Sequence, residues 1–84
     1  MYYVYILKSL TTGEFYKGLT NNLERRLMQH LKGKASSTKN KLPLVLIHVE
    51  ICPNRQEARR MENFFKSGFG REIIDEIYAQ VVKW

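Results

Sequence analysis

A single cysteine, Cys52, leaves an 84-residue chain with no internal disulfide to form. That excludes a cysteine-stapled secreted scaffold and fits a reducing, cytoplasmic setting. No apolar run approaches the ~18 residues that a membrane-spanning helix needs, so no membrane partner is expected. The N-terminal MYYVYILKSL has neither a basic n-region nor a small-residue cleavage site, and is not expected to be a signal peptide. Internal repeats are absent, and the length leaves room for one domain, taken as residues 1–84. Acidic residues are scarce in one part of the chain only. Residues 1–49 carry eight Lys/Arg against Glu14 and Glu24, whereas residues 50–84 carry six basic and six acidic side chains. The net charge of +6 therefore belongs to the first part, and a one-sided basic surface suits a polyanion such as nucleic acid.

What is present is a small core, at 44% hydrophobic residues, and a readable order of elements. Residues 2–8 are aromatic and β-branched, a strand pattern. Residues 9–13 form a turn in which Gly13 is free to take positive φ, and 14–19 read as a second strand, giving a hairpin. Asn21 and Glu24 have capping-box spacing before a helix over about 22–31, with Leu23, Leu27 and Leu31 as its buried stripe. Residues 33–41 (GKASSTKNK) are small, polar and basic, the one candidate for disorder, closed by Pro43. The run 44–49 (LVLIHV) reads as a strand covered on both faces. Asn54 and Glu57 repeat the capping-box spacing and open a helix to about Ser67, with Ala58, Met61 and Phe65 inward. Gly68 and Gly70 are expected to break it. Residues 71–82 form a third helix facing the core through Ile73, Ile74, Ile77, Val81 and Trp84. The order β-β-α-β-α-α predicts an α+β fold with helices packed on a small antiparallel sheet.

Chemistry-bearing residues gather in YKGLTNNLERRLMQH (16–30). Arg26 and His30 are four apart and share a helix face at the edge of the leucine stripe. Such an arginine can offer its fork to a phosphate, and such a histidine can move a proton or bind a phosphate oxygen; a solvated basic face is the plainer alternative. Tyr3 and Tyr5 share one strand face, and Tyr16 and Gly18 share a face of the next strand. If the register aligns them, phenols cluster beside a glycine that admits close approach; ordinary cross-strand packing is the alternative. Glu62 lies within the apolar stripe of its helix. It needs a cation or an ion pair there, with Arg59 or Lys66 as the local candidates.

Taken in order, these elements resemble the GIY-YIG nuclease superfamily. The first motif stands as Tyr3-Val4-Tyr5 and the second as Tyr16-Lys17-Gly18. The Asn22-Leu23-x-x-Arg26-Leu27-x-x-His30 run and the Ala58-x-x-x-Glu62 helix follow at matching spacing. The chain looks most like the small stand-alone bacterial members. The resemblance implies a sheet of three antiparallel strands and a metal-dependent endonuclease hydrolysing DNA phosphodiester bonds, structure-selective, in repair or recombination. It implies that Tyr5 or Tyr16 helps activate the attacking water, that Arg26 contacts the scissile phosphate and that His30 assists. Glu62 would hold one divalent cation, Mg²⁺ or Mn²⁺, weakly without substrate. Physically, a phosphodiester repels hydroxide, so the site must bring positive charge, and a phenol of pKa about 10 needs a nearby cation to act as a base. Lys17, Arg25, Lys32, Lys34, Lys39 and Lys41 would hold the nucleic-acid backbone. The substrate would be branched, flapped or single-stranded DNA, met by a monomer or weak dimer, with a protein partner in a repair complex as a further expectation. Leu19 stands where some members have a lysine, and Asn63 is the only asparagine after Glu62. These departures motivate the alternative of a nucleic-acid-binding module with little or no activity; a third reading is a protein-interaction domain using the apolar third helix.

Overall fold

Three strands and three helices follow one another in the order expected: β1 (Tyr2–Ser9), β2 (Phe15–Thr20), α1 (Leu23–Leu31), β3 (Leu44–Cys52), α2 (Arg55–Lys66) and α3 (Gly68–Val81). They are seen in a computed structural model that describes residues 1–83; Trp84, expected to face inward, lies outside the described residues. The sheet is antiparallel with order β2-β1-β3. Among the described residues no helix is long and apolar enough to cross a membrane.

The central position of β1 explains its sequence. Val4, Tyr5, Ile6 and Leu7 are all buried, which alternation allows only if both sheet faces are covered. On one face Val4 and Ile6 join Ile47, Cys52, Ala58, Phe65 and Ile74, the last three from α2 and α3. On the other, Tyr5 and Leu7 pack with Leu44, Tyr16 and the α1 residues Leu23 and Leu27. Full burial of an aliphatic side chain such as Ile6 contributes about 1.5–3 kcal/mol, so these two layers hold the sheet.

The double covering expected of 44–49 belongs to β1 instead. β3 is an edge strand, and Val45, Leu46 and Ile51 are exposed on it. The ladder shifts register between Ile6 and Leu7, so Ile47 is inserted between the partners of those two residues and joins the Ile6 core.

α1 starts one residue later than the capping-box spacing predicts. Thr20 Oγ1 accepts the Asn22 amide at 3.1 Å, holding Asn22 in a non-helical conformation, and the Asn22 side chain accepts from Arg25 N. Asn22, not Asn21, is the cap. The helix ends in a Schellman motif: Gly33 at φ 74°, with the Lys34 amide donating to Gln29 O and the Gly33 amide to His30 O. Leu31 is exposed and falls outside the expected stripe, because His30 takes the inward place at this end.

Residues 33–41 are ordered rather than disordered. Ala35 and Thr38 are buried, the Thr38 amide donates to Ala35 O, and Ser9 Oγ donates to Lys41 O at 2.6 Å. At the other end, Asn54 caps α2 as expected, accepting from Glu57 N at 2.9 Å. α3 begins at Gly68, not at Arg71. Ser67 caps it, and Gly70 lies so close to the Phe64 carbonyl that a Cβ there would overlap it. Gly70 therefore permits a close α2–α3 junction. Ile74 is buried and Ile73 and Ile77 pack against the core, but Val81, at the end of α3, is exposed.

Candidate active site

The β1–β2 register sets the tyrosines. Tyr5 pairs with Gly18 and Leu7 with Tyr16, so Tyr5 and Tyr16 share the α1 face, their ring centroids 6.3 Å apart. A Cβ on Gly18 would overlap the Tyr5 hydroxyl and Cζ, so the Tyr5 ring needs a glycine opposite it. Tyr3 pairs with Thr20 and stands apart from the two phenols.

α1 brings His30 behind these rings. Its centroid lies 5.0 Å from that of Tyr16 and 5.5 Å from that of Tyr5. His30 Nε2 is 2.9 Å from Tyr5 Oη, and Nδ1 is 2.6 Å from Thr38 Oγ1. The histidine is fully buried, not at the edge of the core, so a direct bond from it to a phosphate oxygen has no access. Burial, reinforced by the Arg26 charge, pushes its pKa down to about 4, so it is neutral at pH 7. Burial also raises the Tyr5 pKa, with Arg26 nearby acting against that rise.

In front of the rings opens a cleft lined by Tyr2, Tyr5, Tyr16, Gly18, Arg26 and Glu62, with Arg55 and Arg59 at its α2 side. Arg26 lies one turn before His30, as the spacing predicts, and its Nη1 donates to Gln29 Oε1 at 2.9 Å. Glu62 comes from α2, its side chain 9% exposed. Both local partners foreseen for it are engaged: Arg59 Nη1 donates to Oε1 at 2.8 Å, and Lys66 Nζ lies 3.5 Å from Oε2. Tyr5, Tyr16, Arg26 and Glu62 are thus brought together, with His30 directly behind Tyr5.

Glu62 is the one carboxylate lining this cleft, and among the described residues no group of three His, Cys, Asp or Glu could hold a metal. One carboxylate suits a hard divalent cation that keeps waters and takes substrate oxygens, as Mg²⁺ does, rather than a closed nitrogen–sulfur site.

The proposed backbone-binding cations are dispersed. Arg25, Lys32 and Lys34 line a shallow depression on α1, outside the cleft. Lys39 is exposed, and Lys41 pairs with Glu14 at 3.2 Å, which holds the Glu14 carboxyl below its usual range. Lys17 pairs with Ile6 and so faces α2 and α3; partial burial there, with Arg71 and Lys66 nearby, lowers its pKa. Sequence reasoning missed Thr38, which sits in a polar loop with no periodic signal. It also missed Arg55 as a cleft residue, although its i,i+4 spacing to Arg59 places both on one helix face.

Residues 1–73 match the family model of the GIY-YIG catalytic domain. A UPF0213 protein of Clostridium perfringens is 40% identical over 84 residues, covering 99% of this chain and 89% of that protein. A UPF0213 protein of Bacillus licheniformis is 41% identical over 66 residues, 77% of this chain and 67% of the relative. One from Nitratidesulfovibrio vulgaris is 41% identical over 63 residues, 74% of this chain but only 56% of that relative's length. Among solved structures, the solution NMR structure of a UPF0213 protein from Bacillus halodurans has a TM-score of 0.56 at 33% identity, covering 92% of this chain and 85% of that one.

Proposed function

The chain belongs to the GIY-YIG family, a nuclease family, and from that premise we propose that it is a metal-dependent endonuclease that hydrolyses phosphodiester bonds of DNA. The observation that carries this reading is the convergence of two phenols, a guanidinium and a carboxylate on one cleft, with a neutral histidine bonded to one phenol.

In this reading Tyr5 is the base and Glu62 is the anchor for Mg²⁺ or Mn²⁺. When bound, such a cation would supply positive charge that lowers the phenol's pKa and stabilises charge on the phosphate. Thr38 has no other side-chain partner among the described residues. In the neutral tautomer protonated at Nε2, its hydroxyl donates to His30 Nδ1 and the Nε2–H donates to Tyr5 Oη. That bond stabilises the Tyr5 phenolate. A water loses its proton to that phenolate as its oxygen bonds to phosphorus; the P–O ester bond opposite it breaks, and the leaving oxygen takes a proton from solvent water. Arg26 offers a charge that does not titrate to the non-bridging oxygens. Tyr16, its ring tilted against that of His30, closes the side of the site.

Each of the three described helices packs one side against the sheet, which supports selection by DNA structure (flaps, branches or single-stranded ends), as in repair or recombination. Arg25, Lys32, Lys34 and Lys39 would hold the backbone beside the cleft. The second reading, a binding module of the same fold, is favoured by one observation: Lys17 faces away from the phenols, and no lysine from β2 lines the cleft.

The test is incubation of the protein with branched, flapped, single-stranded and duplex DNA, with Mg²⁺, Mn²⁺ or EDTA, beside Glu62→Ala. Metal-dependent products that the variant does not make are expected. Products that survive in EDTA or in Glu62→Ala overturn the metal role. DNA binding without products, equal in both proteins, supports the binding module instead.

A further inference from the structure

The Glu62 carboxylate, the candidate cation anchor, is already neutralised. Arg59 occupies Oε1 and Lys66 lies by Oε2. Arg59 stands on the cleft side, half exposed, whereas Glu62 is nearly buried. Its guanidinium thus has one edge on the carboxylate and another open to whatever enters. Arg55, one turn earlier, lines the same wall, and among the described residues it forms no ion pair. With Arg26 opposite, the cleft has three guanidiniums around one carboxylate.

This arrangement sets a competition. A dication approaching Glu62 must displace or share with Arg59, and the cleft lining offers the displaced guanidinium no second carboxylate. A phosphodiester changes that balance. The planar fork of arginine fits phosphate oxygens as well as it fits a carboxylate. Once a phosphate lies in the cleft, Arg59 can leave Oε1 without losing a charged partner, and the freed oxygen can take the cation.

We propose that Arg59 is an exchangeable partner: it holds Glu62 in the free protein and moves onto a phosphate of the bound nucleic acid, so that cation and substrate enter together. Arg59 is then a phosphate-binding residue and a positioning residue for Glu62. The inference rests on the nuclease reading, because it takes Glu62 as the cation's anchor. Linkage makes the effect reciprocal: nucleic acid tightens cation binding, and cation tightens nucleic-acid binding.

Two measurements without turnover test it. Mn²⁺ binding is followed by the electron paramagnetic resonance of the free ion, with no nucleic acid present. Binding of a short fluorescent single-stranded oligonucleotide is followed by anisotropy in EDTA across a salt series. Arg59→Gln is expected to bind Mn²⁺ ~3–5-fold more tightly, the scale of losing one partly exposed ion pair. The same variant should bind the oligonucleotide more weakly, with a salt slope lower by about one. Arg59→Lys, which keeps the charge, should restore the slope. Circular dichroism confirms that each variant is folded. Unchanged or weaker Mn²⁺ binding in Arg59→Gln overturns the proposal, and so does an unchanged salt slope, because both shifts are required. Glu62→Gln separates the two levels. If it leaves Mn²⁺ binding intact in both the wild-type and Arg59→Gln backgrounds, the cation anchor is elsewhere and the proposed function's metal site falls as well.

Discussion

Tyr5 and Gly18 face each other across the β1–β2 ladder, and the Tyr5 hydroxyl and ring edge fill the space a Cβ at position 18 would take. Gly18→Ala is therefore expected to push the Tyr5 ring off its bond to His30. Overpacking of this kind costs about 1–3 kcal/mol, visible as a lower urea midpoint, and cleavage should fall to near background. Gly68→Ala is the control: nothing stands within 4 Å of the added methyl, and stability should hold or rise slightly.

His30 sets an acid limit on stability. Burial pushes its pKa from the ordinary 6.5 down to about 4. Between these values the unfolded chain binds a proton that the folded chain refuses, so stability falls as pH drops through this window and is retained above it. From pH 7 to pH 5 the contribution is about 2 kcal/mol. Urea titrations at both pH values should show that loss in the wild type, and His30→Gln should show much less of it. An equal loss in the variant would assign the acid sensitivity to other groups.

Thr38→Val leaves His30 Nδ1 buried without its 2.6 Å partner. An unpaired buried polar group costs about 1–3 kcal/mol. Thermal unfolding should register that cost. If the threonine fixes the imidazole tautomer, kcat should drop with KM little changed, whereas Ser37→Ala, at an exposed position, should move neither.

Tyr5→Phe and Tyr16→Phe distinguish the two phenols. Removal of the Tyr5 hydroxyl is expected to abolish cleavage in a folded protein, and removal of the Tyr16 hydroxyl to reduce it. Burial raises the Tyr5 pKa, and the phenolate is the active form, so the wild-type rate should climb with pH through the neutral and mildly alkaline range. A flat pH–rate profile would count against Tyr5 as the base.

Lys32 and Lys34 stand on one side of α1 with Arg25, and Lys17 stands on the other face of the sheet. Lys32→Ala with Lys34→Ala should weaken DNA binding equally across sequences and lower the salt slope by about two. Lys17→Ala should change the slope little. Anisotropy at several salt concentrations reads both.

The element order was legible because each element has its own local code. Aromatic and β-branched runs gave β1 and β2, and four-residue periodicity with Asn at the caps gave α1 and α2. The Arg59 and Lys66 pairings of Glu62 were legible for the same reason, since i,i+3 and i,i+4 neighbours meet on any helix. The one-residue error at the α1 cap and the three-residue error at α3 arose from side-chain bonds by Thr20 and Ser67 that compete for the first amides.

Sequence by itself determined which residues carry chemistry and, through helix and strand periods, which of them share a face. Tertiary structure alone decided what those faces meet. Tyr5 and His30 are 25 residues apart and bond only because β1 lies centrally under α1. Thr38 becomes a partner of His30 because its loop folds inward, although its composition is that of a solvated linker. The 44–52 strand lies at the edge because β1 already has β2 on its other side, so the apolar run 44–49 that reads as doubly covered leaves Val45 and Leu46 in solvent. Local patterns reflect the intrinsic geometry of one element, whereas burial and partner choice depend on which elements cover one another, and no single segment encodes that.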